Sequence, residues 1–354
     1  MKFGRLSVCL TIALFAFFLG AMGAQELSDS LLFERGGVLS SGGASGSGSI
    51  FIGPMSARPG FQVGVKNMTW TAPDGSFQVR ARAYYPADKT EKSPVVIFSH
   101  GLGASGERFD YLGTSWAQRG IASIFLSHPA SDETHWRGKL RPMNQMKEIY
   151  KKYWSARDRA LMVRFALDRL DEMAGRPGTV AERLDLARVG VAGNDLGALA
   201  ALLVAGQLPP DNGPSLADSR VVAVIAFSPP VYCSPDRGQI VYAGVKIPFI
   251  SFAGTNDDGV VGMTKAPQRR IPFDSMTGNP RYHVTLQGGD HMVYSGHISS
   301  IKKGNDPPYQ RSIRDISTIF WAAYLLGDER ALGVLNYAEP AMLSNIGHLE
   351  RKLR

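Results

Sequence analysis

Cysteine is scarce: two in 354 residues, Cys9 and Cys233. Cys9 sits inside an apolar N-terminal run, so the remainder of the chain holds one thiol, can form no internal disulfide and must be stabilised by its core. Cys9 also follows Val8 where a lipoprotein leader would need a small residue, which excludes a lipid anchor. His and Cys residues nowhere fall at metal-ligand spacing. The glycine-rich stretch GLGASG, residues 101–106, has neither the strand-to-helix fingerprint nor the acidic partner of a dinucleotide site, and no phosphate loop occurs. The expectation is a protein without metal or organic cofactor. No internal repeat is visible.

The first 24 residues stand apart. Lys2 and Arg5 precede the apolar run LSVCLTIALFAFFLGAMGA, which closes on the small residues Ala21, Gly23 and Ala24. A basic start, a short apolar stretch and a small-residue end predict a cleaved secretory leader over 1–24, and so a secreted or periplasmic protein. Residues 25–54, including GGVLSSGGASGSGS, carry too few apolar side chains to order themselves and read as a flexible tether. A single domain is expected over 55–354, a length that supports a substantial core. The formal charge is +8, or +6 once the leader's two cations are removed. Much of the excess lies in residues 135–159. The bland reading of that segment is a solvated helix face, and the alternative is a weak contact with an anionic polymer or membrane surface. The expected partner is a small-molecule substrate, with no nucleic acid.

FQVGVKNMTWTA and FQVRARAYYPA alternate apolar and polar positions across Pro73, Asp74 and Gly75, which predicts an N-terminal hairpin. From Pro94 onward, apolar strands (PVVIFSH, IASIFLSHP, ARVGVAG, VVAVIAFSPP, KIPFISFAG, RYHVTLQGG) alternate with helical stretches. Such alternation predicts an α/β fold: a mostly parallel sheet of about eight strands with helices on both faces. One apolar stripe runs through Ile149, Tyr153, Ala156, Ala160, Val163, Leu167, Leu170 and Ala174 at helical spacing. The segments ALGVL and MLSNIGHLERKLR near the C-terminus read as short terminal helices.

The chemistry gathers at three loops. Gly193-Asn194-Asp195-Leu196-Gly197 forms a strand-to-helix turn of the kind that carries G-x-S-x-G in α/β-hydrolases, with Asp195 where the nucleophilic serine would stand. AGTNDDG follows a strand and offers Asp257 or, in competition, Asp258; spacing from Gly254 favours Asp257. GGDHMVYSG follows the next strand and offers His291. Nucleophile, acid and histidine thus arrive in hydrolase order, each at the carboxyl end of a strand. HGLG, residues 100–103, follows the first parallel strand, where one oxyanion-hole amide is placed, so Leu102 and Leu196 are the candidate donors. His100 reads as a structural hydrogen-bonding residue, and His128 and His283 as structural or surface. Ser99 and Ser228 end strands but occupy no such turn.

Through VGVKNMTWTAPDG, YYP, VVIFSHGLGASGERFDYL, AGNDLGA and GGDHMVYSG, from about Phe61 to Leu326, the chain resembles the secreted bacterial hydrolases described as predicted dienelactone hydrolases, relatives of the platelet-activating-factor acetylhydrolases. The resemblance implies an α/β-hydrolase fold without a large cap, an ester- or lipid-hydrolysing activity through a Ser-Asp-His triad, and no cofactor. The chain departs from that family at the nucleophile.

A carboxylate that attacked an ester carbonyl would form a mixed anhydride uphill of the ester. Attack on a saturated carbon, as in epoxide opening or halide displacement, gives instead an alkyl-aspartate ester that His291 could hydrolyse. The helix N-terminus is a favourable place for that negative charge. Three readings follow from the sequence: a hydrolase of an ester-like substrate with an Asp195–Asp257–His291 constellation, an aspartate-nucleophile hydrolase of epoxide or haloalkane type, and a catalytically silent binding protein that kept the fold. In the first, His291 and Asp257 could also activate water directly. The accessories of the second, a tryptophan after the aspartate and an inserted helical cap, are missing.

Overall fold

The computed structural model describes residues 60–128, 132, 144, 156–210, 213–259, 264–295, 307–338 and 347–353. The leader 1–24, the tether 25–54, the stripe positions Ile149 and Tyr153, nearly all of the basic stretch 135–155, and residues 339–346 lie outside them.

The hairpin forms as β1 (Val63–Thr71) and β2 (Gln78–Pro86), paired antiparallel with Thr71 opposite Gln78. The parallel strands are β3 (Ser93–Ser99), β4 (Ala122–Ser127), β5 (Leu184–Asn194), β6 (Val221–Phe227), β7 (Phe249–Asn256) and β8 (Arg281–Asp290). With β9 (Gly347–Lys352) they make one mixed nine-stranded sheet in the order β1-β2-β4-β3-β5-β6-β7-β8-β9. Pairing is parallel from β4 through β8 and antiparallel at both margins. Every residue of β3 is buried, as expected of a central strand covered on both sides.

The two faces carry separate cores. Val95 and Ile97 of β3 pack into the one that contains Ala160, Val163 and Leu167 of α2 (Ala156–Met173) and the apolar residues of α3 (Leu196–Val204). Their alternating neighbours Val96 and Phe98 pack into the other, with Leu112 and Trp116 of α1 (Asp110–Gln118) and Phe320 and Trp321 of α4 (Pro307–Leu325). Period-two alternation along one strand thus fixes which helix covers which face. All nine residues of α3 are buried, which accounts for its small, uniformly apolar sequence.

One expectation fails at the C-terminus. ALGVL is helical, within α5 (Glu329–Tyr337), but GHLERK is strand β9 rather than helix, which raises the count to nine. Leu349 of β9 is buried opposite Val284, while Glu350 and Lys352 reach back to Arg270 and Asp274. Tertiary pairing outweighs the helical preference of Leu, Glu, Arg and Lys.

Candidate active site

The turn after β5 is tight because two glycines allow it. A Cβ placed on Gly197 would lie 1.9 Å from the Ser99 carbonyl oxygen, and one on Gly193 would lie 2.2 Å from the Gly197 carbonyl carbon. Helix α3 therefore starts in direct backbone contact with the end of β3. Gly197→Ala should cost about 3 kcal/mol or more, because neither partner is a side chain that can rotate away; a wild-type urea midpoint would contradict this.

Asp195 caps α3 in a strained conformation, φ 51° and ψ −122°. Among the described residues only Ser228 shares a positive φ without being glycine, also at 51°. Such strain persists where the surroundings over-determine it, and functional turns are typical places. The Asp195 main chain is fixed by its own N–H, which donates to the Phe227 carbonyl at 3.0 Å, and by its carbonyl, which accepts from Ala198 at 2.8 Å. Its side chain makes no capping bond to α3. It turns instead to the HGLG loop, where the Leu102 N–H donates to Oδ2 at 3.3 Å. The Leu196 N–H belongs to the first turn of α3, whose amides a helix leaves without internal partners.

The acid and the histidine meet across β7 and β8. Gly254 permits the close crossing of the two strand ends, since a Cβ there would lie 2.1 Å from the Gly289 oxygen. Beyond that crossing His291 Nδ1 lies 2.9 Å from Asp257 Oδ1. Asp257 is fully buried, whereas 13 % of the His291 side chain remains exposed, so the imidazole faces the solvent side of the pair. Asp258 is elsewhere: exposed, bonded to Lys265, and held below the usual carboxylate range first by that bond. Asp290, the last residue of β8, accepts from the Met292 amide at 2.9 Å.

Four further residues, unforeseen as site residues, complete the arrangement. Ser228 Oγ–H donates to Asp257 Oδ1 at 2.9 Å and lies 2.9 Å from His291 Nδ1. It approaches the acid's side of the imidazole and is fully buried, so it is a supporting group and not a substitute nucleophile. Arg269, 1 % exposed, pairs through Nε with Asp257 Oδ1 at 3.0 Å and donates to the Ser228 and Pro229 carbonyls at 2.7 and 3.1 Å. Tyr294 donates to Asp257 Oδ2 at 3.2 Å, and burial pushes its phenol well above the ordinary tyrosine range. A buried carboxylate needs such partners. The fourth residue, Arg159 of α2, is 3 % exposed and donates to the His100 carbonyl at 2.5 Å.

The histidines under the HGLG loop are neutral supports. His100 Nδ1–H donates to the Gly101 carbonyl, and its Nε2 accepts from the His128 amide. Burial first, then the Arg159 charge, lowers His100 to about 3. Ser99 Oγ lies 2.7 Å from His128 Nε2, and burial holds His128 well below its usual range.

The structure thus joins Asp257 to His291 and Asp195 to Leu102. No hydrogen bond among the described residues links Asp195 directly to His291. The connection runs through two consecutive residues: the Asp195 N–H donates to the Phe227 carbonyl, and the Oγ of the next residue, Ser228, lies 2.9 Å from His291 Nδ1. No group of three or more His, Cys, Asp or Glu among the described residues is arranged to hold a metal ion.

A mostly parallel sheet with an acid–histidine pair and a strained strand-to-helix turn at its carboxyl edge is compatible with the α/β-hydrolase class. Residues 60–156 match the family model described as platelet-activating factor acetylhydrolase, isoform II. That match spans the hairpin, the HGLG loop and the opening of α2, and supports a hydrolase-like family of that type; it stops before Asp195, Asp257 and His291. No curated protein is matched by the chain.

Proposed function

We propose that the protein is a hydrolase in which Asp195 is the nucleophile, with His291 and Asp257 as the water-activating pair and the Leu102 and Leu196 amides as oxyanion donors. The observation that carries this reading is the bond from the Leu102 N–H to Asp195 Oδ2. A carboxylate has two oxygens, and here one already rests on an amide suited to developing negative charge. The other is left to attack.

On a substrate with an electrophilic saturated carbon, that oxygen forms a C–O bond as the leaving group departs with its electron pair. Water then adds to the carbonyl carbon of the resulting Asp195 ester, giving a proton to His291; the negative oxygen collapses back, the C–O bond to the alkoxide breaks, and the alkoxide takes that proton from His291 to leave as the alcohol. Asp257 keeps the imidazole oriented through Nδ1, and Ser228 and Tyr294 keep Asp257 oriented. The substrate class is a small lipophilic ester-like or otherwise electrophilic molecule. Export of the protein, from the leader-like residues 1–24, is part of the proposal.

The family match favours a second reading, hydrolysis of acyl esters, with water activated directly by His291 and Asp257. The two readings separate in one experiment. His291→Ala, incubated with short terminal epoxides, bromoalkanes and p-nitrophenyl acyl esters, is followed by intact-protein mass. The first reading expects a stable alkyl adduct on Asp195, because the first step needs no histidine and the second does. Turnover of acyl esters by the wild type, with no adduct in the variant on any substrate, would replace it with the second.

A further inference from the structure

Arg159 offers more than a loop contact. It lies on the sheet-facing side of α2, three residues after Ala156 and four before Val163, both buried. A guanidinium placed there loses water on all sides, which costs several kcal/mol unless charge and hydrogen bonds compensate. Part of the compensation lies toward the candidate nucleophile. Arg159 Nη1 donates to the His100 carbonyl; two residues on, the Leu102 amide donates to Asp195 Oδ2. The loop between these two bonds is pressed against the aspartate, since a Cβ on Gly101 would lie 3.1 Å from the Asp195 Cβ.

We propose that Arg159 is the positioning residue of the Asp195 turn: its buried positive charge compensates the Asp195 carboxylate, and its bond to the His100 carbonyl sets the loop that presents the Leu102 amide. The inference rests on the reading of Asp195 as a working carboxylate. It explains why an aspartate is at home at this position, because a serine would leave the buried cation without that negative charge. The charges around Arg159 agree: burial brings it down to about 10, and Asp195 acts in the opposite direction. The neighbouring imidazoles of His100 and His128 are held neutral and add no positive charge beside the guanidinium.

A double-mutant cycle of Arg159→Met and Asp195→Asn, read by thermal midpoint, isolates the coupling, because loss of the His100 bond is common to both backgrounds and cancels. The expected result is a drop of several degrees for Arg159→Met with Asp195 present, a much smaller drop in the Asp195→Asn background, and recovery of most of the loss by Arg159→Lys. Equal drops in the two backgrounds, or no rescue by lysine, would overturn the proposal. A second measurement follows the rate of adduct formation on Asp195 in the His291→Ala background, expected to fall tenfold or more when Arg159→Met is added. The thermal cycle involves no substrate, so a coupling seen there together with no adduct from any electrophile would keep this inference and sink the nucleophile.

Discussion

Asp195→Asn should reduce turnover by on the order of 10⁴-fold or more, the scale on which removal of a covalent nucleophile acts, with the fold retained. The amide keeps the shape and an oxygen for the Leu102 N–H, but its carbonyl oxygen cannot attack carbon. Asp195→Ser makes the sharper comparison. A serine there would share the carboxyl edge of the sheet with the acid–histidine pair and stand beside the HGLG loop, yet it abandons the bond between Leu102 and Oδ2 and the charge opposite Arg159. The expected serine variant is less thermostable and inactive on epoxides and haloalkanes. Should the serine variant cleave acyl esters while the wild type hydrolyses nothing, the natural protein is a silenced esterase and the aspartate a relic. Initial rates on a matched substrate panel, with melting curves for each variant, decide between these outcomes.

The second large effect is on stability in mild acid. Three buried histidines are held neutral: His100 at about 3, His283 at about 4, and His128 well below its usual value, each first by burial. Arg159 adds to the effect at His100 and His128, and Arg270 at His283. Their folded-state values lie below the unfolded value of 6.5, so between about pH 6.5 and about 4 the unfolded chain binds protons that the native chain refuses. Stability is therefore full above that window and falls as the pH drops through it. At about 1.4 kcal/mol per pH unit for each group, two pH units remove roughly 2–3 kcal/mol each for His100 and His283, and His128 acts in the same direction. Together that is a large share of the roughly 5–15 kcal/mol that holds an ordinary domain. The depressed carboxylates Asp218 and Asp274 add their own losses only at lower pH, below their ordinary value of 3.8. Urea midpoints measured from about pH 7 to about 4.5 should decline steeply over this window, and a flat profile would refute the assignment.

What could be read from the sequence was local or sequential. The turn at Asp195 declares itself because two glycines, four residues apart, are demanded by backbone contacts within a single strand-to-helix unit. The placement of His291 and Asp257 beside each other follows from strand order, since parallel neighbours present their carboxyl ends together. Ser228 and Arg269 were not legible. Ser228 gains its part through a positive φ that no residue type announces, and Arg269 reaches Asp257 from a short helical turn twelve residues further along the chain. Arg159 left a fainter trace: it falls on the same helical stripe as Ala156 and Val163, where a charged residue is out of place. The strand GHLERK was misread as helix because its composition favours helix and its partners in β8 lie 61 to 71 residues earlier in the chain, from Leu286↔Gly347 to Arg281↔Lys352.

That last strand has a consequence for how the molecule behaves among its own copies. A parallel sheet ending at β8 would present a row of open amides and carbonyls beside the loop that bears His291, a ready template for another chain to join. β9 occupies that row in the opposite direction, and with Glu350, Arg351 and Lys352 it gives the rim a mixture of charges to which a further strand adheres poorly. Six residues near the C-terminus thus act as a selvage along the β8 margin, on the side where the candidate site lies.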